Sequence, residues 1–291
     1  RTTSGTTKTT SNGVCPVAAL VAACPLCSHS ETSADGMTIR FWGVRGSTPV
    51  PGPQTVRYGG NTTCVSIHVG GNVIVLDAGT GIRPLGETLM GTTTRITLLF
   101  THLHTDHIAG FPFFAPLFEP GRRINLVAYN GCAGTWSPLD LMDGLHFPLS
   151  PAEVPADCHT LEMSAEDALQ ACGVELSRLL VNHPGGAWGY RLQHKGRSFV
   201  FIPDNELADP SPTTDMETIA AFCEGADVLC HDAQYVASER DARQGWGHSV
   251  VEDVCALARM AEVKHLVLFH HHPSRTDALT PTCHHSFLPS V

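Results

Sequence analysis

The stretch Phe100-Thr101-His102-Leu103-His104-Thr105-Asp106-His107-Ile108-Ala109-Gly110 decides how the rest of the chain is interpreted. It follows an apolar, β-like run, Ile96–Phe100, and places three histidines and one aspartate within six positions. Neutral imidazole and carboxylate are ligands that divalent metals such as zinc prefer. A tight loop after a strand can direct the first two histidines at one point, and the aspartate and third histidine, on the other side of that loop, can then serve a second. A histidine-rich loop without metal is the plain alternative in a chain with 17 histidines.

The chemistry that such a pattern favours is metal-assisted displacement. Two adjacent cations can stabilise the attacking and leaving oxygens, and can supply hydroxide near neutral pH. Other ligand candidates follow the stretch in a workable order along the chain. We therefore expect a hydrolase with two metal ions.

Composition and charge limit the classes of function that the chain can have. The chain has 291 residues, of which 42% are hydrophobic and 16% charged, which is typical of a globular protein with a substantial core. The net charge of −10, without a run of lysine or arginine, argues against a broad nucleic-acid surface but leaves room for a local basic pocket. Eleven scattered cysteines favour a reducing, cytoplasmic setting over a disulfide framework, and no apolar run approaches the ~20 residues needed to span a membrane.

The two ends of the chain differ from the middle. Residues 1–36 begin with a threonine- and serine-rich segment that we expect to be disordered, followed by an apolar segment interrupted by two prolines. A signal peptide and a small zinc knuckle are weaker alternatives, the knuckle being formed by Cys15, Cys24, Cys27 and His29. We favour an extension that precedes a hydrolase domain of residues 37–277. Residues 278–291 read as an irregular tail in which His284-His285 has no obvious partner.

Several short predicted strands of the domain end close to a polar side chain. A glycine turn joins Cys64–Val69 to Val73–Leu76, which ends at Asp77; this aspartate either supports the metals or caps the loop. Further along, the strand-like run 174–181 leads to His183, and Arg197–Ile202 leads to Asp204. A carboxylate at a strand end can bridge two cations, because each oxygen can bind one of them.

The last third alternates helices and strands. Residues 216–223 and 250–261 are predicted helices, and residues 226–230 form a strand before Asp232. His248 precedes the second helix, and the final strand, 265–269, leads to His270-His271-His272. His248 is either a catalytic group or a structural residue at the start of a helix.

The motif HxHxDH after a buried strand, together with these later motifs, resembles the metallo-β-lactamase-fold hydrolases. The likeness covers residues 37–277 and points to the branch of the RNase Z endonucleases and related small phosphodiesterases. It implies an α/β fold: a four-layer αβ/βα sandwich of two mixed β-sheets with outer helices and the metals at one edge. It also implies that a homodimer is an expected assembly, although no residue here predicts one.

The resemblance implies a role for each candidate site residue. One metal would be held by His102, His104 and His183, and the other by Asp106, His107 and His270, with Asp204 bridging them. His271 is the alternative to His270, and relatives often have aspartate at the position of His272. Zinc is the expected metal, with manganese or iron as alternatives for the same ligands. Asp106 also counts as catalytic, and Asp232 would orient His248 as the general acid.

The implied reaction is hydrolysis of a phosphodiester by a hydroxide that bridges the metals. RNase Z enzymes carry a long arm for tRNA between the third histidine and the bridging aspartate, and here His183 and Asp204 are too close for one. A small or cyclic diester is therefore expected, and nucleic acid is disfavoured. The alternatives are a lactone, carboxyl-ester or thioester hydrolase on the same centre, a tRNA 3′-processing endonuclease, or a metal-binding protein without turnover. True β-lactamase activity is disfavoured by Asp106 and by the pair Asp232 and His248.

Overall fold

The computed structural model describes residues 36–127, 129–131, 134–161 and 164–280. The N-terminal segment with its predicted alternatives at Cys15, Cys24, Cys27 and His29, and the tail with His284-His285, lie outside the described residues. The predicted domain boundaries at residues 37 and 277 therefore stay a prediction.

The described ranges contain strands and α-helices that are numbered here in chain order. The strands are β1 Met37–Gly43, β2 Cys64–Val69, β3 Asn72–Leu76, β4 Arg95–Leu99, β5 Arg123–Val127, β6 Tyr129–Gly131, β7 Gly134–Trp136, β8 Asp157–Leu161, β9 Glu175–Val181, β10 Ala187–His194, β11 Arg197–Ile202, β12 Val228–Asp232 and β13 Leu266–Phe269. The α-helices are α1 Ile82–Leu89, α2 Thr105–Ile108, α3 Ala165–Gln170, α4 Met216–Cys223, α5 Arg240–Arg243 and α6 Val251–Met260. Short 3₁₀ turns lie at 111–113, 115–118, 138–141, 151–153 and 237–239.

Two mixed sheets carry the fold. The first has the order β1-β2-β3-β4-β5-β8, with antiparallel pairing from β1 to β3 and parallel pairing from β3 onward. The second has the order β13-β12-β11-β10-β9, in which β11, β12 and β13 are parallel and β10 is antiparallel to both of its neighbours. The predicted pair of mixed sheets is confirmed.

Alternating side chains divide the molecule into four layers. In β2, Val65 and Ile67 face the second sheet, where they join Phe199 and Phe201 of β11 in one buried cluster. The intervening residues of β11 belong to a different cluster that packs under α4 and α6. The outer face of the first sheet is covered in the same way by α1. Apolar residues with a period of two on both sheets thus produce a sheet-on-sheet core with outer helices.

The strand ends meet at one edge of the sandwich. The second sheet orients β9, β11, β12 and β13 in one direction, and the first sheet does the same for β3 and β4. Ligands of open α/β sheets bind outside the carboxyl ends of such strands. No helix in the described part of the chain is long and apolar enough to cross a membrane.

Candidate metal centre

The decisive histidine stretch begins as a loop after β4 and continues into the single turn of α2. His102 and His104 lie on the predicted loop, and Asp106 and His107, on the other side of that loop, lie on a short helix that begins at Thr105. The backbone of this turn lies close to the loop after β3. A Cβ on Gly110 would lie only 2.1 Å from the carbonyl oxygen of Gly79, so this position requires glycine. Ala78 strengthens the contact by donating its amide to His107 and accepting from the amide of Gly110.

The first predicted group of ligands comes together at this edge. His102, His104, His183 and Asp204 offer atoms that all lie within 4.8 Å of one another. The Nδ1 atom of His104 lies 3.0 Å from Nε2 of His183. Oδ2 of Asp204 lies 3.5 Å from Nε2 of His183 and 3.8 Å from Nε2 of His102.

The second predicted group lies beside the first. Nε2 of His270 is 3.0 Å from Oδ2 of Asp106 and 3.3 Å from Nε2 of His107. Oδ1 of Asp204 lies 3.0 Å from Nε2 of His107 and 3.4 Å from Nε2 of His270. Asp204 therefore turns one oxygen toward each group, which is the geometry that a bridging carboxylate needs.

These separations fit the edges of metal coordination polyhedra. Bonds of about 2.0–2.2 Å in a tetrahedral site separate the ligand atoms by about 3.3–3.6 Å. Nε2 of His102 and Oδ1 of Asp204 are both buried without a hydrogen-bond partner, although such atoms are normally satisfied. The donor set of imidazoles and carboxylates and its two orphaned atoms thus fit a pair of divalent cations.

Neighbouring groups fix the orientation of three of the histidines. Nδ1 of His107 lies 2.9 Å from Oδ2 of Asp77, and Nδ1 of His183 lies 2.8 Å from the carbonyl oxygen of Gly247. Nδ1 of His102 lies 3.1 Å from the hydroxyl of Thr101, which donates in turn to Asp77. Each arrangement places a proton on Nδ1 and leaves Nε2 free for a cation. For Asp77, the structure favours the predicted support of the metals over a loop cap.

Buried carboxylates give the centre a negative potential that favours the binding of positive charge. Asp77, Asp106 and Asp204 are buried, and their ion-pair partners among the described residues are all histidines. Burial opposes a charged His107, yet the three carboxylates around it raise its pKa well above the usual range. Burial lowers the pKa of His102, which favours the neutral form that binds metal.

The predicted acid pair lies against the second group. Nδ1 of His248 is 2.7 Å from Oδ2 of Asp232, and the ring of His248 stacks on His270 at 4.9 Å. Burial opposes protonation of His248, but the charge and hydrogen bond of Asp232 outweigh it and raise the pKa of the imidazole to about 9. His248 also forms a third possible ligand group with Asp204 and His270. Its contact with a buried carboxylate favours the role of proton donor.

The other two histidines of the run 270–272 do not belong to the candidate ligand groups. His271 is buried against the ring of Tyr58, and burial followed by the charge of Arg45 lowers the pKa of His271 to about 3. His272 lies beside the hydroxyl of Ser274. The geometry thus favours His270 over His271, although the ligand roles themselves stay a prediction.

Sequence reasoning missed several groups that shape the centre. The backbone amide of Ser47 donates to Oδ2 of Asp106 at 2.7 Å, and the carboxylate of Glu206 accepts the amides of Gly245 and Gly247. The donors in these contacts are backbone amides, which do not depend on the residue type, so no sequence motif predicts them. Four of the candidate ligands, His104, Asp106, Asp204 and His270, line an open cavity of about 390 Å³ together with Ser47 and His248.

The chain is similar to known proteins in sequence and in fold. A family model described as a beta-lactamase superfamily domain matches residues 72–271. The ribonuclease Z of Methanosarcina acetivorans is 23% identical over 288 residues, covering 84% of this chain and 90% of that protein. A solved diphosphatase of the PhnP family is 18% identical with a TM-score of 0.58, covering 85% of this chain and 93% of that chain. The solved short form of human tRNase Z is 21% identical with a TM-score of 0.53, covering 80% of this chain and 92% of that chain. The diphosphatase and the tRNase Z both share the fold of this chain.

Proposed function

The chain belongs to the β-lactamase superfamily and is a metal-dependent hydrolase, and from this premise we propose that it cleaves a small or cyclic phosphodiester at a centre of two zinc ions. The observation that carries the proposal is the pair Asp232 and His248 beside the candidate ligands. An alkoxide is a poor leaving group, so its departure benefits from a proton donor. Hydrolases that act on activated esters do not need that donor.

The residues of the chain divide the work of this reaction. His102, His104 and His183 would hold one cation, and Asp106, His107 and His270 the other, with Asp204 between them. Two divalent cations, when bound, activate water and neutralise charge that develops on the phosphate. Asp232 holds the Nδ1–H of His248, which leaves Nε2 to give a proton to the departing oxygen. Imidazole and carboxylate ligands suit zinc, and they also suit manganese or iron.

The size of the substrate is inferred from the strand connections. Only the hairpin of β10 and β11 separates His183 from Asp204, so this part of the chain has no room for a protruding arm. The cavity of about 390 Å³ lies in the range of small-molecule sites, which is about 300–1,000 Å³. A net charge of −10 also disfavours a polyanion as the substrate.

A second candidate is processing of tRNA 3′ ends. It is favoured by the relative from Methanosarcina acetivorans, which bears the name ribonuclease Z and matches 84% of this chain. A third candidate, hydrolysis of a lactone, carboxyl ester or thioester, would use the same cations without His248. The test below separates all three.

The expected setting is a reducing compartment such as the cytoplasm. Cys64, Cys158, Cys172, Cys223 and Cys230 are free cysteines, as expected where thiols stay reduced. Burial raises the pKa of Cys223 to about 12, so this thiol stays protonated. The implied homodimer and the role of Asp106 beyond ligation stay predictions.

The experiment is turnover of bis-(p-nitrophenyl) phosphate, a cyclic nucleotide, a lactone, a thioester and a tRNA precursor by metal-loaded protein. We expect diester hydrolysis that chelation abolishes and a His248→Ala variant with little activity on the cyclic nucleotide. The matched control is His146→Ala, because His146 also bonds an aspartate, Asp143, but at 76% side-chain exposure. Turnover of lactone or thioester without diester turnover would refute the proposal, and preference for the tRNA precursor would replace it with the second candidate.

A further inference from the structure

His270 differs from the other candidate ligands in how it is held. It follows β13 in a left-handed backbone conformation with φ of 56°, which a residue with a side chain rarely adopts. Its Nε2 faces Asp106 and His107, as described above. Its Nδ1 is buried without a hydrogen-bond partner. By contrast, the Nδ1 atoms of His102, His107 and His183 each meet an oxygen.

A second orphaned atom lies beside this one. Gln234 is 3% exposed, and its backbone amide donates to Oδ1 of Asp232. The side-chain Nε2 of Gln234 donates to the hydroxyl of Tyr235 at 3.0 Å, which orients the amide group. Its Oε1 is buried and accepts no hydrogen bond. A buried amide oxygen without a donor is as unusual as a buried imidazole nitrogen without an acceptor.

Gly46 shows that the two orphaned atoms converge. A Cβ built on Gly46 would lie 2.3 Å from Oε1 of Gln234 and 2.4 Å from Nδ1 of His270. Both atoms therefore lie beside the point where a side chain on Gly46 would begin. Only a residue without a side chain leaves room for the amide and the imidazole to approach each other there.

We propose that Gln234 is the positioning residue of the second metal site, with its Oε1 accepting the Nδ1–H of His270 when a cation occupies Nε2. An imidazole that binds a cation through Nε2 carries its proton on Nδ1, and metal-ligating histidines donate that proton to an acceptor. Among the described residues, Oε1 of Gln234 is the unsatisfied buried acceptor that shares the Gly46 contact with His270. Gly46 acts with Gln234 because its missing side chain permits the bond.

The inference rests on the metal centre of the proposed function but not on its substrate. It predicts an asymmetry between the two sites. Loss of Gln234 should weaken the site of Asp106, His107 and His270. The site of His102, His104 and His183 should keep its affinity, because its histidines use other acceptors or face the cavity.

The test is titration of chelated protein with Co²⁺, followed by calorimetry and by the visible absorption of the bound ion. For Gln234→Leu we expect two bound ions, one with wild-type affinity and one weakened about 10- to 100-fold. Gln170→Leu is the matched control, because Gln170 is exposed at the end of α3. Gln234→Glu should restore the weaker site, since a carboxylate offers the same acceptor and Tyr235 can donate to its other oxygen.

A second variant guards against a simple failure to fold. Gly46→Ala should also weaken one site selectively, because its Cβ must displace Gln234 or His270. Thermal unfolding of each chelated variant checks that the fold is kept. Wild-type affinity at both sites in Gln234→Leu, or equal weakening of both sites without rescue by Gln234→Glu, would overturn the proposal. Metal binding is measured without substrate, so the absence of diester turnover would refute the proposed function and leave this inference standing.

Discussion

Replacing Asp232 with asparagine tests the assignment of the acid pair. Asp232 is fully buried, and both of its oxygens accept hydrogen bonds. Oδ2 accepts from Nδ1 of His248 at 2.7 Å and from the amide of Asn205 at 3.1 Å, and Oδ1 accepts from the amide of Gln234 at 2.9 Å. An amide side chain has one acceptor oxygen, so in Asp232→Asn an NH₂ group must face an N–H donor in either orientation.

The size of the effect follows from these contacts. At least one buried donor loses its acceptor, which costs about 1–3 kcal/mol of the free energy of unfolding. The charge that holds the pKa of His248 at about 9 also disappears, so burial then favours the neutral imidazole. We expect a loss of about 10²- to 10⁴-fold in kcat/KM for a diester with an alkoxide leaving group, which corresponds to about 2.7–5.5 kcal/mol of barrier. A p-nitrophenolate leaves without a proton, so its rate should fall less than about tenfold.

The assay compares kcat/KM for a cyclic nucleotide and for bis-(p-nitrophenyl) phosphate in the wild type and in Asp232→Asn. Asp143→Asn is the matched control, because Oδ1 of Asp143 accepts the amides of Leu145 and His146 and Oδ2 lies 2.6 Å from Nδ1 of His146. That site is exposed and remote in sequence, so the control should keep both activities. An equal loss with both diesters would refute the role of His248 as a proton donor.

Three further predictions concern stability. Chelation should lower the melting temperature, since cations that bind the folded state at 100 times their Kd stabilise it by about 2.7 kcal/mol; an unchanged melting temperature would contradict metal binding. Burial, followed by the charge of Arg40, lowers the pKa of His68 to about 4, so the unfolded chain binds the extra proton and stability is lost as the pH falls from about 6.5 to 4. Urea unfolding at pH 7.5 and pH 4.5 measures this loss of stability, and His68→Gln should reduce the loss by up to about 3 kcal/mol. An equal loss in the wild type and in the variant would contradict the assignment of this effect to His68. Arg45 is fully buried and donates to the carbonyl oxygens of Gly59 and Arg275, so Arg45→Met should lower the free energy of unfolding by about 3 kcal/mol or more, whereas exposed Arg83→Met should change it by less than about 0.5 kcal/mol.

Elements with a strong pattern were predictable from the sequence. Arg197–Ile202 and Met216–Cys223 were predicted with the bounds that the structure shows. Helix α1 was missed because Pro84 and Gly86 lie inside it, although a proline in the first turn is tolerated. Strand β8 was also missed, because it is an edge strand without fully buried side chains and so shows no apolar period.

The candidate site was predictable to the extent that residue types carry it. Histidines and aspartates directly after strands indicated both candidate ligand groups, and the structure brings the members of each group together. Of the groups that orient them, Asp77 was a candidate from the sequence, whereas the carbonyl of Gly247 and the amide of Ser47 were not predictable, because they are ordinary backbone atoms. The contact of Gly46 with Gln234 and His270 depends on residues that lie far apart in sequence, and only the fold reveals it.

The distribution of ligands along the chain has a consequence for biosynthesis. His104 and His183 are 79 residues apart, whereas Asp106 and His270 are 164 residues apart. During translation the proposed first site would therefore be complete once Asp204 has left the ribosome, whereas the proposed second site would need β13 to emerge and join the second sheet. A nascent chain with these proposed ligands would then be able to bind one cation before it could bind two. The second cation would then close the longer loop and link the end of β13 to the short helix that follows β4.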